Sequence, residues 1–202
     1  MKVLQLLALA TAIVASADAA AITGQLWIVP DGVAQNAVLA NVPATAPNVT
    51  FEVNSPLNFT VPGSINDFLL SGGAFNIAGS ASDLANPISP SITEFQGQVT
   101  VTTGQQFTVT HDDGLTLTIG NVDVISTPGP TGPVQTVQTY SGPSGTFPFT
   151  LVYGECCGGQ AVLQIDLPFQ PSTVPEPASY ATLAMGLLIA GVMRRRRVSV
   201  RG

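Results

Sequence analysis

The residues with chemistry to offer gather in two short stretches of a 202-residue chain. The first is His111-Asp112-Asp113-Gly114 and the second is Glu155-Cys156-Cys157-Gly158-Gly159. Adjacent carboxylates are hard oxygen donors suited to a cation such as calcium, which takes about six to eight oxygens. Neighbours on a regular strand point to opposite faces. Asp112 and Asp113 can therefore share an ion only at a turn or an unusual peptide, with backbone carbonyls and a later loop completing the set. Glu155 is the one carboxylate of the later stretch, and Asn121 and Asp123 follow the first closely. The other role open to Asp112 and Asp113 is to make an Asp-Gly turn and bond its backbone.

Cys156 and Cys157 are the only cysteines. Adjacent Cα atoms are about 3.8 Å apart, below the usual disulfide window of about 4.4–6.8 Å, so a vicinal disulfide would be strained and readily reduced. Free thiols, an intermolecular link and a metal pair are the alternatives. His111 is the only histidine and shares a face with Phe107 and Val109, which suits a hydrogen-bonded core or edge residue better than a general base. The chain has no serine-hydrolase elbow, zinc-protease helix motif, phosphate-binding loop or dinucleotide fingerprint. Its acids are too dispersed to argue a glycosidase pair. No catalytic residue is expected, and the protein reads as a non-enzyme.

Charge narrows the partners. Only 9% of residues are charged, against roughly 25% in ordinary soluble domains. The six basic residues are Lys2, Arg194, Arg195, Arg196, Arg197 and Arg201, so none lies between Ile22 and Thr173. That interval holds ten acids: Asp31, Glu52, Asp67, Asp83, Glu94, Asp112, Asp113, Asp123, Glu155 and Asp166. Nucleic acid is excluded as a partner, because neutralising phosphates takes clustered Lys and Arg. Nucleotide and phosphate substrates are disfavoured on the same ground.

The ends carry addresses rather than chemistry. Residues 1–21 have the plan of a secretory signal peptide: Lys2, an apolar run from Val3 to Val14, then small residues offering cleavage after Ala19 or Ala21. At the other end, 174–202, Pro175-Glu176-Pro177 precedes an uncharged run at 178–193 and then Arg194–Arg197. Sixteen helical residues rise about 24 Å, and snorkelling arginines can make up the remainder of a bilayer core of about 30 Å. The positive-inside rule keeps the arginines cytoplasmic and exports the body. This segment is expected to be a single transmembrane helix.

The body, 22–173, is expected to be one all-β domain, an antiparallel two-sheet sandwich of about nine to eleven strands, with a closed barrel as the alternative. Period-two alternation is clearest at Phe107–His111, Leu115–Ile119, Phe147–Tyr153 and Ala161–Leu167. Gly24–Val29, Val49–Val53 and Val122–Ile125 are further strands. Asp113-Gly114 reads as a hairpin turn and Gly120-Asn121 as a second turn. Ser71–Gly73, Ser80–Pro90 and Pro128–Pro133 read as loops.

Two resemblances follow from these motifs. The order Val-Pro-Glu-Pro, short apolar helix, Arg cluster at the C-terminus resembles the PEP-CTERM sorting signal. It implies a Gram-negative bacterium making exopolysaccharide, with an exosortase as partner. Pro175, Glu176 and Pro177 would be its recognition residues. The body, through Gln106–Gly120 with its Asp-Asp-Gly and through Phe149–Leu163 with Tyr-x-Glu and a glycine-rich loop, resembles the PA-fourteen domain of protective antigen and fibro-slime proteins. That implies a β-sandwich with a calcium-dependent lectin branch, in which the two Asp residues meet through a cis peptide. In place of that branch's Asn/Asp-bearing loop, this chain has Glu155-Cys156-Cys157-Gly158-Gly159. The expected protein is therefore exported across the inner membrane, anchored there by the C-terminal helix before processing, and passed to the cell surface or biofilm matrix. There it would bind glycans or exopolysaccharide, with calcium as the only candidate cofactor. A purely structural envelope protein and a polysaccharide-acting enzyme are the alternatives.

Overall fold

Where apolar and polar residues alternate, one face of a strand can be buried while the other meets water, and antiparallel pairing satisfies the backbone between. The computed structural model describes residues 22–167 and 169–170, and twelve strands occur among them. They are β1 (Ile22–Ile28), β2 (Val49–Val53), β3 (Leu57–Val61), β4 (Phe75–Gly79), β5 (Ser91–Val101), β6 (Gln106–Asp112), β7 (Gly114–Ile119), β8 (Val122–Thr127), β9 (Val134–Thr139), β10 (Gly145–Glu155), β11 (Ala161–Ile165) and β12 (Phe169–Gln170). The proposed signal peptide at 1–21, the Pro175-Glu176-Pro177 motif, the helix at 178–193 and Arg194–Arg197 lie outside the described residues. Among the described residues, no helix is long and apolar enough to cross a membrane.

The strands form two antiparallel sheets. One runs β4-β2-β1-β5-β10-β7-β8, with β12 also on β5; the other runs β3-β11-β6-β9. The eleven-residue strands β5 and β10 pair along their whole length, Gly145 with Val101 through to Glu155 with Ser91. Between the sheets lies an aromatic core. Phe51 meets Phe95 edge-on at 5.6 Å, and Phe59 of the opposite sheet lies 5.5 Å from Phe95. Burying each such ring contributes about 1.5–3 kcal/mol.

Three short helices interrupt the strands: α1 (Asp31–Ala34), α2 (Ile65–Ser71) and α3 (Ala81–Ala85). In α2 the Ser64 hydroxyl accepts from the Asp67 N–H while the Asp67 carboxylate accepts from the Ser64 N–H, a reciprocal cap. The cap holds the Asp67 carboxyl below its ordinary range, first through the Ser64 side chain. Phe68 of α2 enters the core and stacks on Phe59 at 4.8 Å and on Tyr153 at 5.9 Å. A second, smaller core lies on the other face of the larger sheet, where Trp27, Val29, Ala34, Ala37, Ile92, Val152 and Cys156 pack together.

Several expectations need correcting. Asp113-Gly114 does not close a hairpin: β6 pairs with β11 and β9, whereas β7 pairs with β10 and β8. The dipeptide instead carries the chain from one sheet to the other. Ser71 ends a helix, and Ser80–Pro90 contains α3 rather than being all loop. The first strand begins at Ile22 and stops at Ile28. Pro128–Pro133 is a loop, as expected.

Candidate functional site

The crossover from β6 to β7 sets the site. Asp112 ends one strand, Gly114 begins the next in the other sheet, and Asp113 lies between them. The Asp112–Asp113 peptide is cis. Both backbone carbonyls of the pair are held. The Asp112 carbonyl accepts from the Tyr153 hydroxyl. The Asp113 carbonyl accepts from His111 Nδ1 at 2.6 Å. A carbonyl can only accept, so His111 carries a ring proton on Nδ1, and among the described residues its buried Nε2 has no partner. His111 is thus a hydrogen-bonded core residue that fixes the crossover.

Asp113 is clamped from two further directions. Its Oδ1 accepts from the Thr131 N–H at 3.0 Å and its Oδ2 from the Cys156 N–H at 2.8 Å. The loop around Thr131 and the loop after β10 therefore meet on one carboxylate. Glycines make that approach feasible. Gly114 and Gly154 are cross-strand partners. A Cβ on Gly114 would overlap the Pro128 carbonyl, and one on Gly154 would overlap the Ala34 carbonyl. With no side chain at either place, the 128–131 loop and α1 lie directly on the sheet.

The Asp112 carboxyl stands beside that of Asp113. Burial, followed by the neighbouring charge, pushes it up to about 6. Two acids converge here in a body with no Lys or Arg. Hard oxygens, crowded negative charge and no protein counter-charge are the donor chemistry of a calcium-type site. Asp112 and Asp113 fit that requirement. Carbonyls of the 156–159 loop and water are the available sources for the remaining ligands. Among the described residues, no group of three or more His, Cys, Asp or Glu side chains gathers to hold a metal.

Glu155, the candidate ligand of the later stretch, is the last residue of β10. It is 1% exposed and points between the sheets, beneath the Asp pair. Burial is the largest influence on it, and its carboxyl is pushed up to about 8, so it is neutral at pH 7. Its contact with the Tyr153 hydroxyl is 2.7 Å. The single hydroxyl proton of Tyr153 is committed to the Asp112 carbonyl, so the protonated Glu155 donates to the hydroxyl oxygen. The result is a chain from Glu155 through Tyr153 to Asp112. Burial and then Glu155 push the Tyr153 phenol well above its ordinary range. Ser91 stands across the ladder from Glu155 and Thr93 from Tyr153, and among the described residues the buried hydroxyls of both lack partners.

Cys156 and Cys157 are free thiols, the first buried and the second exposed. Burial pushes the Cys156 thiol well above its ordinary range, and the Cys157 thiol and Asp113 carboxylate beside it push the same way. Beyond Cys157 opens a cleft of about 570 Å³, lined by Asp31, Gly63, Pro87, Ile88, Ser89, Pro90, Cys157, Gly158 and Gly159. Asn121 and Asp123 are not brought to the site. Asn121 lies in the β7–β8 turn, at the end of β7 away from Gly114, and the Asp123 Oδ1 accepts from the Thr118 hydroxyl at 3.1 Å.

Residues 173–197 match the PEP-CTERM protein-sorting motif. The chain carries a PEP-CTERM signal. Pro175, Glu176, Pro177 and Arg194–Arg197 all fall within the matched residues. No curated protein matches the sequence. The body of this chain is similar to solved structures that include two PA14 domains. A PA14 sugar-binding domain from an RTX adhesin has a TM-score of 0.57 and 21% identity, covering 73% of this chain and 88% of that one. The PA14 domain of the antifreeze protein MpAFP has a TM-score of 0.53 and 22% identity, covering 72% and 79%. At these identities the likeness establishes the fold, which is that of PA14 domains.

Sequence reasoning missed Tyr153, Ser91, Thr93 and Thr131 as parts of the site. Tyr153 had a signal, since it shares the inward face of β10 with Phe149 and Leu151. The same alternation also points Glu155 inward.

Proposed function

We propose that the protein is an exported, exosortase-processed surface or matrix protein whose sandwich binds glycans without turning them over, using calcium held by Asp112 and Asp113. The observation that carries the binding half is the convergence of those two carboxylates, that of Asp113 held by the Thr131 and Cys156 amides, in a body with no Lys or Arg. Calcium bound there supplies open positions for a pair of sugar hydroxyls. The Cys156 and Thr131 amides orient Asp113, and the Glu155–Tyr153 chain holds the Asp112 backbone from below. The neighbouring cleft is of a size that takes small ligands, and Asp31, Ser89 and the glycine backbone offer it polar contacts. The sorting signal supports the address. In this reading residues 1–21 start export, the 178–193 helix holds the body at the inner membrane with the arginines inside, and exosortase removes the tail.

The test is calcium titration of full-length protein in detergent, followed by thermal unfolding. At a hundredfold excess over Kd, binding stabilises by about 2.7 kcal/mol. D112A should abolish the calcium response, and glycan-array binding should disappear with chelator. A wild-type protein that melts identically with and without calcium would refute the cation site. Turnover of a polysaccharide by the purified protein would overturn the non-enzymatic assignment.

A further inference from the structure

The two thiols are the reactive side chains at the site that the glycan reading leaves unused. Cys156 is buried in the small core with Trp27 and Val152, while Cys157 is exposed. The sulfur of Cys157 accepts from Gln35 Nε2 at 3.6 Å. Its backbone has φ +67°, the left-handed region that L-residues other than glycine rarely adopt. The N–H of Cys156 is one of the two that hold the Asp113 carboxylate.

We propose that Cys156 and Cys157 are a thiol–disulfide exchange site, and that closing them to a vicinal disulfide loosens the hold of the 156–159 loop on Asp113. The oxidant is a disulfide, either a small molecule or an exchange protein of the exported compartment. Cys157, the accessible thiol, loses its proton to water and attacks one sulfur of that disulfide. The external S–S bond breaks, and the first leaving thiolate takes up a proton. The Cys156 sulfur then attacks the Cys157 sulfur, the mixed disulfide breaks, and the second leaving thiolate takes the Cys156 proton. The protein loses two electrons and two protons, and the external disulfide is reduced to two thiols.

Closure must disturb the clamp. The Cys156–Cys157 peptide is trans, which fixes the Cα atoms about 3.8 Å apart, under the usual disulfide window. To reach a bond of about 2.05 Å, the two neighbouring thiols must close across that short span, and the backbone at Cys156 must turn. The N–H that turns with it is the one donated to Asp113. The consequence for calcium rests on the function proposed above; the consequence for the loop does not.

Full-length protein in detergent, reduced with dithiothreitol and then treated with oxidised glutathione, tests this. Intact mass should show the loss of two hydrogens, with neither a retained glutathione nor a linked dimer. Hydrogen exchange across 153–159 should be faster in the oxidised form. The calcium midpoint should rise roughly tenfold, as when an outer-shell partner of a ligand is lost. C157S, which cannot close the ring, should show no difference in exchange or midpoint between the two treatments. A persistent glutathione adduct, a dimer, unmodified thiols, or a closed ring with unchanged exchange would each overturn the proposal. A closed ring with faster exchange but no calcium response in either state would sustain it and sink the calcium site instead.

Discussion

Asp112 and Glu155 belong to one hydrogen-bonded assembly, separated by a single tyrosine hydroxyl, yet the rim and the floor of the site treat their carboxyls differently. On the rim, Asp112 stands beside Asp113 and is pushed up to about 6, so it is charged at neutral pH. On the floor, Glu155 is pushed up to about 8 and stays neutral. Burial is the largest cause in both. Its extent separates a group that can offer charge to a cation from one that serves as a neutral strut. Counting acids near a site therefore overstates the charge it can offer, and here Glu155 supports the Asp112 backbone from beneath through Tyr153.

The largest expected break comes from G114A. The added methyl meets backbone rather than a side chain that could swing away, so the 128–131 loop must move and the Thr131 bond to Asp113 goes with it. Overpacking of this kind costs about 1–3 kcal/mol, and thermal unfolding should fall by roughly 2–4 °C for each kcal/mol. Y153F should follow closely. Removing the hydroxyl strips a donor from the Asp112 carbonyl and an acceptor from Glu155, for a loss of about 1–3 kcal/mol. Core packing against Phe68 should survive, so denaturant m-values should match the wild type.

E155Q sharpens the floor side of the comparison through pH. The folded protein binds a proton on Glu155 up to about 8, whereas the unfolded chain releases it near 4.5. Between those values the folded state holds more protons, so wild-type stability falls as pH rises through the window and levels off above it. Asp112 adds a decline of the same sign between 3.8 and about 6. E155Q should flatten the upper part of the curve, measured as melting temperature against pH without calcium. The smallest change in basal stability belongs to D112N. It removes like-charge crowding at the rim and should raise melting slightly above pH 6 while removing the calcium response. A calcium response as large as the wild type's would place the cation elsewhere.

Much of the fold was legible because alternation encodes which face is buried. Phe107–His111 and Leu115–Ile119 fold as the alternation predicts; Phe147–Tyr153 and Ala161–Leu167 do so in part, since Phe147 is half-buried, the strand from Ala161 stops at Ile165, and Val152 and Val162 on the outward face are buried too. Alternation does not encode the partner. Two alternating runs joined by Asp-Gly look the same whether they pair in a hairpin or part into different sheets, so the crossover was invisible locally. The helices that Ser64 and Ser80 cap went unread, because they are too short to leave a 3.6-residue stripe. The Asp pair could be named from sequence. The amides of Thr131 and Cys156 could not, because a backbone donor has no residue type to betray it.

The ladder between β5 and β10 has a bearing on how the protein is made. Ser91 must wait for Glu155, and β11, which sits between β3 and β6, comes later still. Contacts so distant along the chain slow folding, since the intervening loop must close before pairing rewards it. During synthesis the ribosome must therefore complete nearly the whole body before the central pair can form. Until then β4-β2-β1-β5, β6–β9 and β7–β8 have their partners, but the two halves of the larger sheet are unjoined and their apolar faces uncovered, a form in which aggregation competes with folding. A nascent chain truncated before Glu155 should remain protease-sensitive throughout, and the site is assembled only once the last tenth of the body has emerged.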